Sequence, residues 1–355
     1  NDCEEALAFI SPEEIQTSER LNINFRDVKN KLLLSFSSSI LHDIKEKINK
    51  GEAASFQTTS LGDDFSKSVL NVPSLNYSVP FYFKNHKAIT ALTYFTRNWK
   101  RQSGKYFDFL ISDEKLFNSY CIDKLDEFVE RTASLLKYNV SELQLLKEQK
   151  ILYVFCSNQD EIVSITGSVS KGRYLSELDA VVTTYSCHFH EAAHLLLNYK
   201  IKENSLYPIP FLQEGFAVAI GGRGGQNNNV LNDVGYFIAR YNYANYKPLF
   251  DYNYFMKEDP SISYPLAGIF SKFLLTSLSV EDYLAFYKLT TVDTTQKIFD
   301  EFKKYITEYK SFRDISFFSS DDVQEISVDS SFFLTSKDRI ENYSSTKFTE
   351  LFKDK

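Results

Sequence analysis

Two imidazoles and a carboxylate stand close together in His190-Glu191-Ala192-Ala193-His194. At 3.6 residues per turn, positions four apart differ by about 40° around a helix, so both imidazoles share one face. Two neutral imidazoles on one face can each give a nitrogen to a single zinc ion at about 2.0–2.1 Å. Glu191 lies beside that face, where it can reach a water on such an ion and take its proton. A pattern this short arises by chance, so its flanks have to support it. Residues 185–199 contain no Pro or Gly, and Ala192, Ala193, Leu195, Leu196 and Leu197 favour a buried helix. The competing reading is a core helix that only happens to carry histidines.

The next carboxylate in an apolar setting is Glu214, within Pro210-Phe211-Leu212-Gln213-Glu214-Gly215-Phe216-Ala217-Val218-Ala219. This run predicts a second buried helix, and a carboxylate buried in it needs a partner. Zinc is the natural one, giving His190, His194, Glu214 and a water as four ligands. The metzincin pattern fails, because position 197 is Leu and position 200 is Lys. The arrangement resembles the gluzincin metallopeptidases, which carry HExxH and a downstream Glu, often in a Glu-Gly-Phe/Leu-Ala element. The resemblance covers roughly residues 105–290. One departure stands out: thermolysin-like members place an Asp four residues after the Glu ligand, where this chain has Val218. The hydrogen bond that Asp makes to a ligating histidine must come from elsewhere here.

A chain of 355 residues can bury a sizeable core. The formal charge of −7 and pI of about 5.4 argue against nucleic acid as the main partner. No run of 18 apolar residues predicts a transmembrane helix. The chain starts with Asn and shows no signal-like apolar stretch. The expectation is an exported protein (secreted, periplasmic or on the cell surface) whose signal is absent from this chain, although a trimmed intracellular chain would look the same. Cysteines at 3, 121, 156 and 187 match no CxxC metal site and allow three full pairings. Cys187 lies three residues before His190. As a fourth zinc ligand it would close the open coordination position, so a buried thiol or half of a disulfide is the better reading.

The elements that must position these residues are expected in an α+β fold: a small twisted sheet and the HExxH helix in residues 101–200, then a helical half in 201–310. Residues 1–100 read as an α+β accessory region and 311–355 as a β-rich tail. Ser11-Pro12-Glu13-Glu14 marks a helix start. Residues 28–50 predict a helix carrying His42, which has no partner at ligand spacing. Residues 53–80 predict loops with short strands and a turn at Gly62-Asp63-Asp64. Residues 77–84 and 87–99 predict strands, joined by a turn at Asn85-His86. The basic stretch 97–105 predicts a solvated turn. Beyond it come a strand at 106–112, an amphipathic helix at 117–138, and strands at 151–156 and 162–167. Gly221-Gly222-Arg223-Gly224-Gly225 does not fit a P-loop and reads as a loop near the cleft. Residues 236–246 place tyrosines near helical spacing, usually a packing stripe. A helix over 263–274, with Pro265 near its start, completes the helical half, followed by helices at 280–289 and 297–309.

The resemblance implies a zinc-dependent peptidase acting on peptide or protein, with Glu191 as general base. It also implies an edge strand that aligns the substrate, for which the candidates are Val163, Ser164, Ile165, Thr166 and Gly167. The Gly-x-Met-Glu-Asn signature of the aminopeptidase branch is missing, which favours an endopeptidase. Gluzincins add a Tyr or His donor to the oxyanion from the helical half. No histidine follows His194, so Tyr264 is the candidate, with Tyr236, Tyr241 and Tyr243 behind it. The alternative is a non-catalytic module that binds protein or glycan, and another hydrolase on the same scaffold is a third. Retention of all four groups, His190, Glu191, His194 and Glu214, favours the enzyme.

Overall fold

The computed structural model describes residues 7–21, 23, 46–47, 49–176, 178–202, 209–288 and 296–309. Most of the helix expected over 28–50, including His42, and the tail 311–355 lie outside the described residues. The fold is mixed α+β, with two small sheets and a helical half. No helix among the described residues is long and apolar enough to cross a membrane.

Helix α1 (Pro12–Glu19) begins with its proline in the first turn. A four-stranded antiparallel meander follows: β1 (Ser55–Gly62), β2 (Phe65–Val72), β3 (Tyr77–Lys84) and β4 (Lys87–Ile89). The first two strands, of eight residues each, are longer than the short strands among loops expected over 53–80. β1 is exposed along most of its length and pairs with β2, which pairs in turn with β3, and this ladder outweighs the polar composition. Asn85 and His86, both at positive φ, form the two-residue turn between β3 and β4. The strand expected to run on to residue 99 stops at Ile89. Thr90 caps Thr93 N–H and opens the short helix α2 (Ala91–Phe95).

The second sheet has the order β5-β6-β7-β9-β8: β5 (Lys100–Ser103), β6 (Phe107–Ile111), β7 (Ile151–Phe155), β8 (Gly172–Leu175) and β9 (Ala180–Thr183). The basic stretch around residue 100, expected as a turn, thus contributes an edge strand, its side chains solvated while its backbone pairs with β6. β6, β7 and β9 are parallel, and β7 is buried along its whole length. Successive side chains point to opposite faces, and the core divides accordingly. Phe107, Phe109, Tyr153, Phe155 and Val181 pack toward α3 (Tyr120–Leu135) and the helical half. Leu110, Leu152, Val154, Ala180 and Val182 pack the other way, against Ile162 and Ile165 together with Ile10 and Leu92 of the N-terminal region. Residues on both sides of position 100 therefore share one apolar cluster.

Helix α4 (Val140–Gln149) opens with a capping box between Asn139 and Glu142. The segment expected as an edge strand at 163–167 is instead helical: α5 runs Gln159–Thr166, capped by Asn158 and ended by Gly167 at φ +69. The HExxH helix, α6 (Phe189–Ile201), leads into the helical half, which among the described residues comprises α7 (Pro210–Gly221), α8 (Asn228–Arg240), α9 (Tyr252–Lys257), α10 (Pro260–Ser277), α11 (Val280–Tyr287) and α12 (Gln296–Glu308). α10 starts a turn earlier than expected, capped by Asp259, which leaves Pro265 inside it. The backbones of α7 and α10 nearly touch: a Cβ on Gly215 would lie 2.4 Å from Ala267 O.

Candidate functional site

α6 begins at Phe189, not at 185, because the four residues before it are held outside the helix. Tyr153 Oη donates to Tyr185 O and accepts from His188 N–H, each at 2.8 Å. Ser186 Oγ accepts from Asn118 N–H at 3.0 Å. Cys187 is bonded to Cys121 on α3. The strand-to-helix junction is thereby tied to both the sheet and α3, so the first turn of α6 has a defined position. The disulfide also removes Cys187 from any set of metal ligands.

His190 and His194 sit one turn apart on α6, both buried, with their Nε2 atoms 3.3 Å from each other. α7 brings Glu214 opposite them. Its apolar face, including Phe211, Leu212 and Phe216, is buried, and this sets the rotation that leaves Glu214 partly open. Glu214 Oε2 lies 3.0 Å from His190 Nε2 and 3.5 Å from His194 Nε2. Among the described residues these three form a group that could hold a metal ion. His190 Nδ1–H donates to Gly222 O at 2.8 Å. A carbonyl only accepts, so Nδ1 carries a proton and Nε2 is the ring nitrogen left to serve a metal ion.

The electrostatics are those of a tight cationic–anionic cluster. Burial works to raise the Glu214 pKa, but His194 and His190 overcome it and hold the carboxyl well below the usual range. For His194, burial opposes the imidazolium. The Glu214 carboxylate prevails, aided by Glu191, and the pKa is raised.

A cleft of about 520 Å³ opens onto this group, a size that suits a small ligand or a short peptide segment. Glu191 lines it and accepts from Tyr174 N–H of β8 at 2.7 Å. The sheet-side wall carries Lys171, Gly172, Tyr185 and His188. The helical wall carries Arg223, Ser261 and Tyr264. The Tyr264 ring lies 6.4 Å from the His190 ring, centroid to centroid. Burial, then Glu214, push its phenol up to about 12, against the pull of Arg223. Tyr236, Tyr241 and Tyr243 do not line the cleft; Tyr236 packs on Tyr309, and the other two pack on Phe237.

The strand beside the cleft is therefore β8, at 172–175, and not 163–167. His188, Lys171 and Arg223 are cleft residues that motif reading passed over. The available signals were positional: His188 lies two residues before the first ligand candidate, and Arg223 is the cation in the glycine-rich stretch after α7. His188 is set by a hydrogen bond between its Nδ1 and Thr183 Oγ1, at 2.8 Å, and by Gly172, where a Cβ would come within 2.2 Å of the ring.

No protein-family model, no curated protein and no solved structure matches this chain.

Proposed function

We propose that the chain is a zinc-dependent peptidase in which His190, His194 and Glu214 hold the metal and Glu191 is the general base. The carrying observation is the spacing of the three donor atoms, 3.0, 3.3 and 3.5 Å apart. A tetrahedron with its corners about 2.0–2.1 Å from zinc has edges of about 3.3–3.4 Å, so the donor set fits that ion. When bound, zinc lowers the pKa of a coordinated water toward 7 and polarises the scissile carbonyl.

The protein's own groups do the rest. Gly222 O keeps the His190 lone pair turned inward. Tyr174 N–H anchors one oxygen of Glu191, which takes the proton of the attacking water and passes it to the leaving amine. Tyr264, kept neutral by burial, donates its hydroxyl to the oxygen on which charge develops. β8 is the outer strand of its sheet among the described residues, and its outer side, where Tyr174 N–H already meets Glu191, suits an extended substrate added as a further strand. HExxH followed by Glu214-Gly215 supports a gluzincin type, and the small sheet followed by a helical half agrees with it. The Cys121–Cys187 disulfide favours an oxidising compartment and so supports export.

Metal analysis tests this reading first. Protein purified without added zinc should carry about one equivalent, and His194→Ala should lose it. Glu191→Gln should keep the metal yet lose at least about 10²–10⁴-fold in peptide hydrolysis. Full zinc occupancy in His194→Ala would overturn the metal assignment. Zinc without turnover of any peptide in the wild type would leave the protein- or glycan-binding module as the function.

A further inference from the structure

We infer that Arg223 makes the cleft selective for peptides carrying a carboxylate close to the scissile bond, either the C-terminal carboxylate or an Asp or Glu side chain. The inference rests on the peptide-cleft reading above. Arg223 follows Gly222, whose carbonyl orients His190. Its main chain is clamped in a tight turn, in which Arg223 N–H donates to Gln226 O at 3.1 Å and Gln226 N–H donates to Arg223 O at 2.9 Å. The turn that sets a metal-ligand candidate thus also sets the position of the cation. The guanidinium carbon sits over the Tyr264 ring, 3.7 Å from its centroid. A guanidinium held over a ring at that distance is pre-organised, and Arg223 is fixed further by a hydrogen bond to the Tyr264 hydroxyl. Because Tyr264 neighbours His190, the fork stands one ring away from the donor triad.

The acidic groups of the same cleft are held in other bonds. Glu214 faces the two histidines. Glu191 accepts from Tyr174 N–H. Asp259 caps α10, accepting from Ser261 N–H and Oγ at 2.9 and 2.7 Å. A guanidinium carries five donors, so bonds within the protein leave others for a ligand. The planar fork matches a carboxylate through two parallel hydrogen bonds, whereas a neutral amide offers one oxygen and no charge.

The test uses the full-length, zinc-loaded protein with Glu191→Gln to prevent turnover, titrated calorimetrically with three probes. These are N-acetyl-tetraalanine with a free C-terminus, the same peptide as its C-terminal amide, and that amide with Glu replacing the third alanine. One acidic probe should bind about 10–100-fold more tightly than the neutral amide, as a charge-assisted pair requires. Preference for the free acid identifies the C-terminal carboxylate; preference for the Glu peptide identifies a side chain. Adding Arg223→Gln should erase the preference, and Arg223→Lys should keep part of it. Any attraction of carboxylate to the metal alone would survive Arg223→Gln, so the variant separates the two. Equal binding of all three probes, no binding at millimolar concentration, or a preference that persists in Arg223→Gln would each overturn the inference and leave Arg223 as a brace for Tyr264. Wild-type hydrolysis of the three peptides at equal efficiency would likewise overturn this inference alone. A preference without hydrolysis would overturn the peptidase reading alone.

Discussion

The Nδ1–H of His190 is hydrogen-bonded to the carbonyl oxygen of Gly222, 2.8 Å away and 32 residues further along the chain. This bond stands where a carboxylate four residues after Glu214 would otherwise do the work, the chain having Val218 there. A backbone carbonyl orients the ring and selects its tautomer as a carboxylate would, without adding a charge to the cluster. It also makes the geometry of one glycine part of the site.

Gly222 has φ +74, and a Cβ there would lie 2.2 Å from Gln226 O. Gly222→Ala should therefore shift the carbonyl away from His190. Zinc affinity, measured by chelator competition, is expected to fall about 10–100-fold, as for loss of other partners of ligating histidines. An unchanged affinity would mean that the bond to Gly222 does not hold the ring.

Zinc binding should depend on pH in a defined direction. The raised pKa of His194 means that the metal has to displace a proton, so affinity is expected to drop as pH falls through that value, by about tenfold per unit for one proton. In the metal-free protein the two shifts act oppositely on stability. The raised His194 pKa contributes stability that is complete below the ordinary value of 6.5 and lost as pH rises through the folded value. The lowered Glu214 pKa contributes stability that is present above the ordinary value of 4.5 and lost as pH falls through the folded value. Both contributions are present between 4.5 and 6.5. Denaturation of chelator-treated protein should show a contribution from the cluster in that window, and His194→Ala should remove it.

Tyr264→Phe removes one hydroxyl from a cleft wall and should lower kcat about 10²–10³-fold, the usual worth of an oxyanion donor. Zinc content and thermal stability should hold, because the ring still packs on Phe255. A kcat equal to that of the wild type would take Tyr264 out of the mechanism and leave the metal assignment standing.

The Cys121–Cys187 bond closes a separation of 66 residues and ends directly before His188. Replacing both with Ser should cost about 2–5 kcal/mol, read from the denaturant midpoint of the metal-free protein. A midpoint matching that of the oxidised wild type would show that the hydrogen bonds of Tyr153 and Ser186 hold the junction unaided.

Cys156 should be inert in the folded protein. It is buried at the end of β7, and burial raises its thiol pKa far above neutrality. Alkylation followed by peptide mass analysis is expected to label it only after denaturation; fast labelling of native protein would contradict the packing.

What the sequence determined by itself was local. The four-residue spacing of His190 and His194 is a property of one helix, and helical periodicity alone puts both on one face. Glu214 was legible because it is the lone carboxylate in an apolar helix, where burial demands a partner. The Asn85-His86 turn was legible for the same local reason, since two residues between strands have few conformations to choose from. Only the tertiary structure decided which elements face one another across the cleft. Ile162-Val163-Ser164-Ile165-Thr166 has strand-like composition, yet the Asn158 cap, the Gly167 stop and packing of Ile162 and Ile165 on the sheet make it a helix. The cleft edge falls instead to Gly172–Leu175, a short stretch that becomes a strand because β9 pairs with it. Gly222 beneath His190, Arg223 over Tyr264, and Cys121 bonded to Cys187 join segments 32 to 66 residues apart. Such partners follow from how helices and sheet pack against one another, and no periodicity within a single element encodes that arrangement.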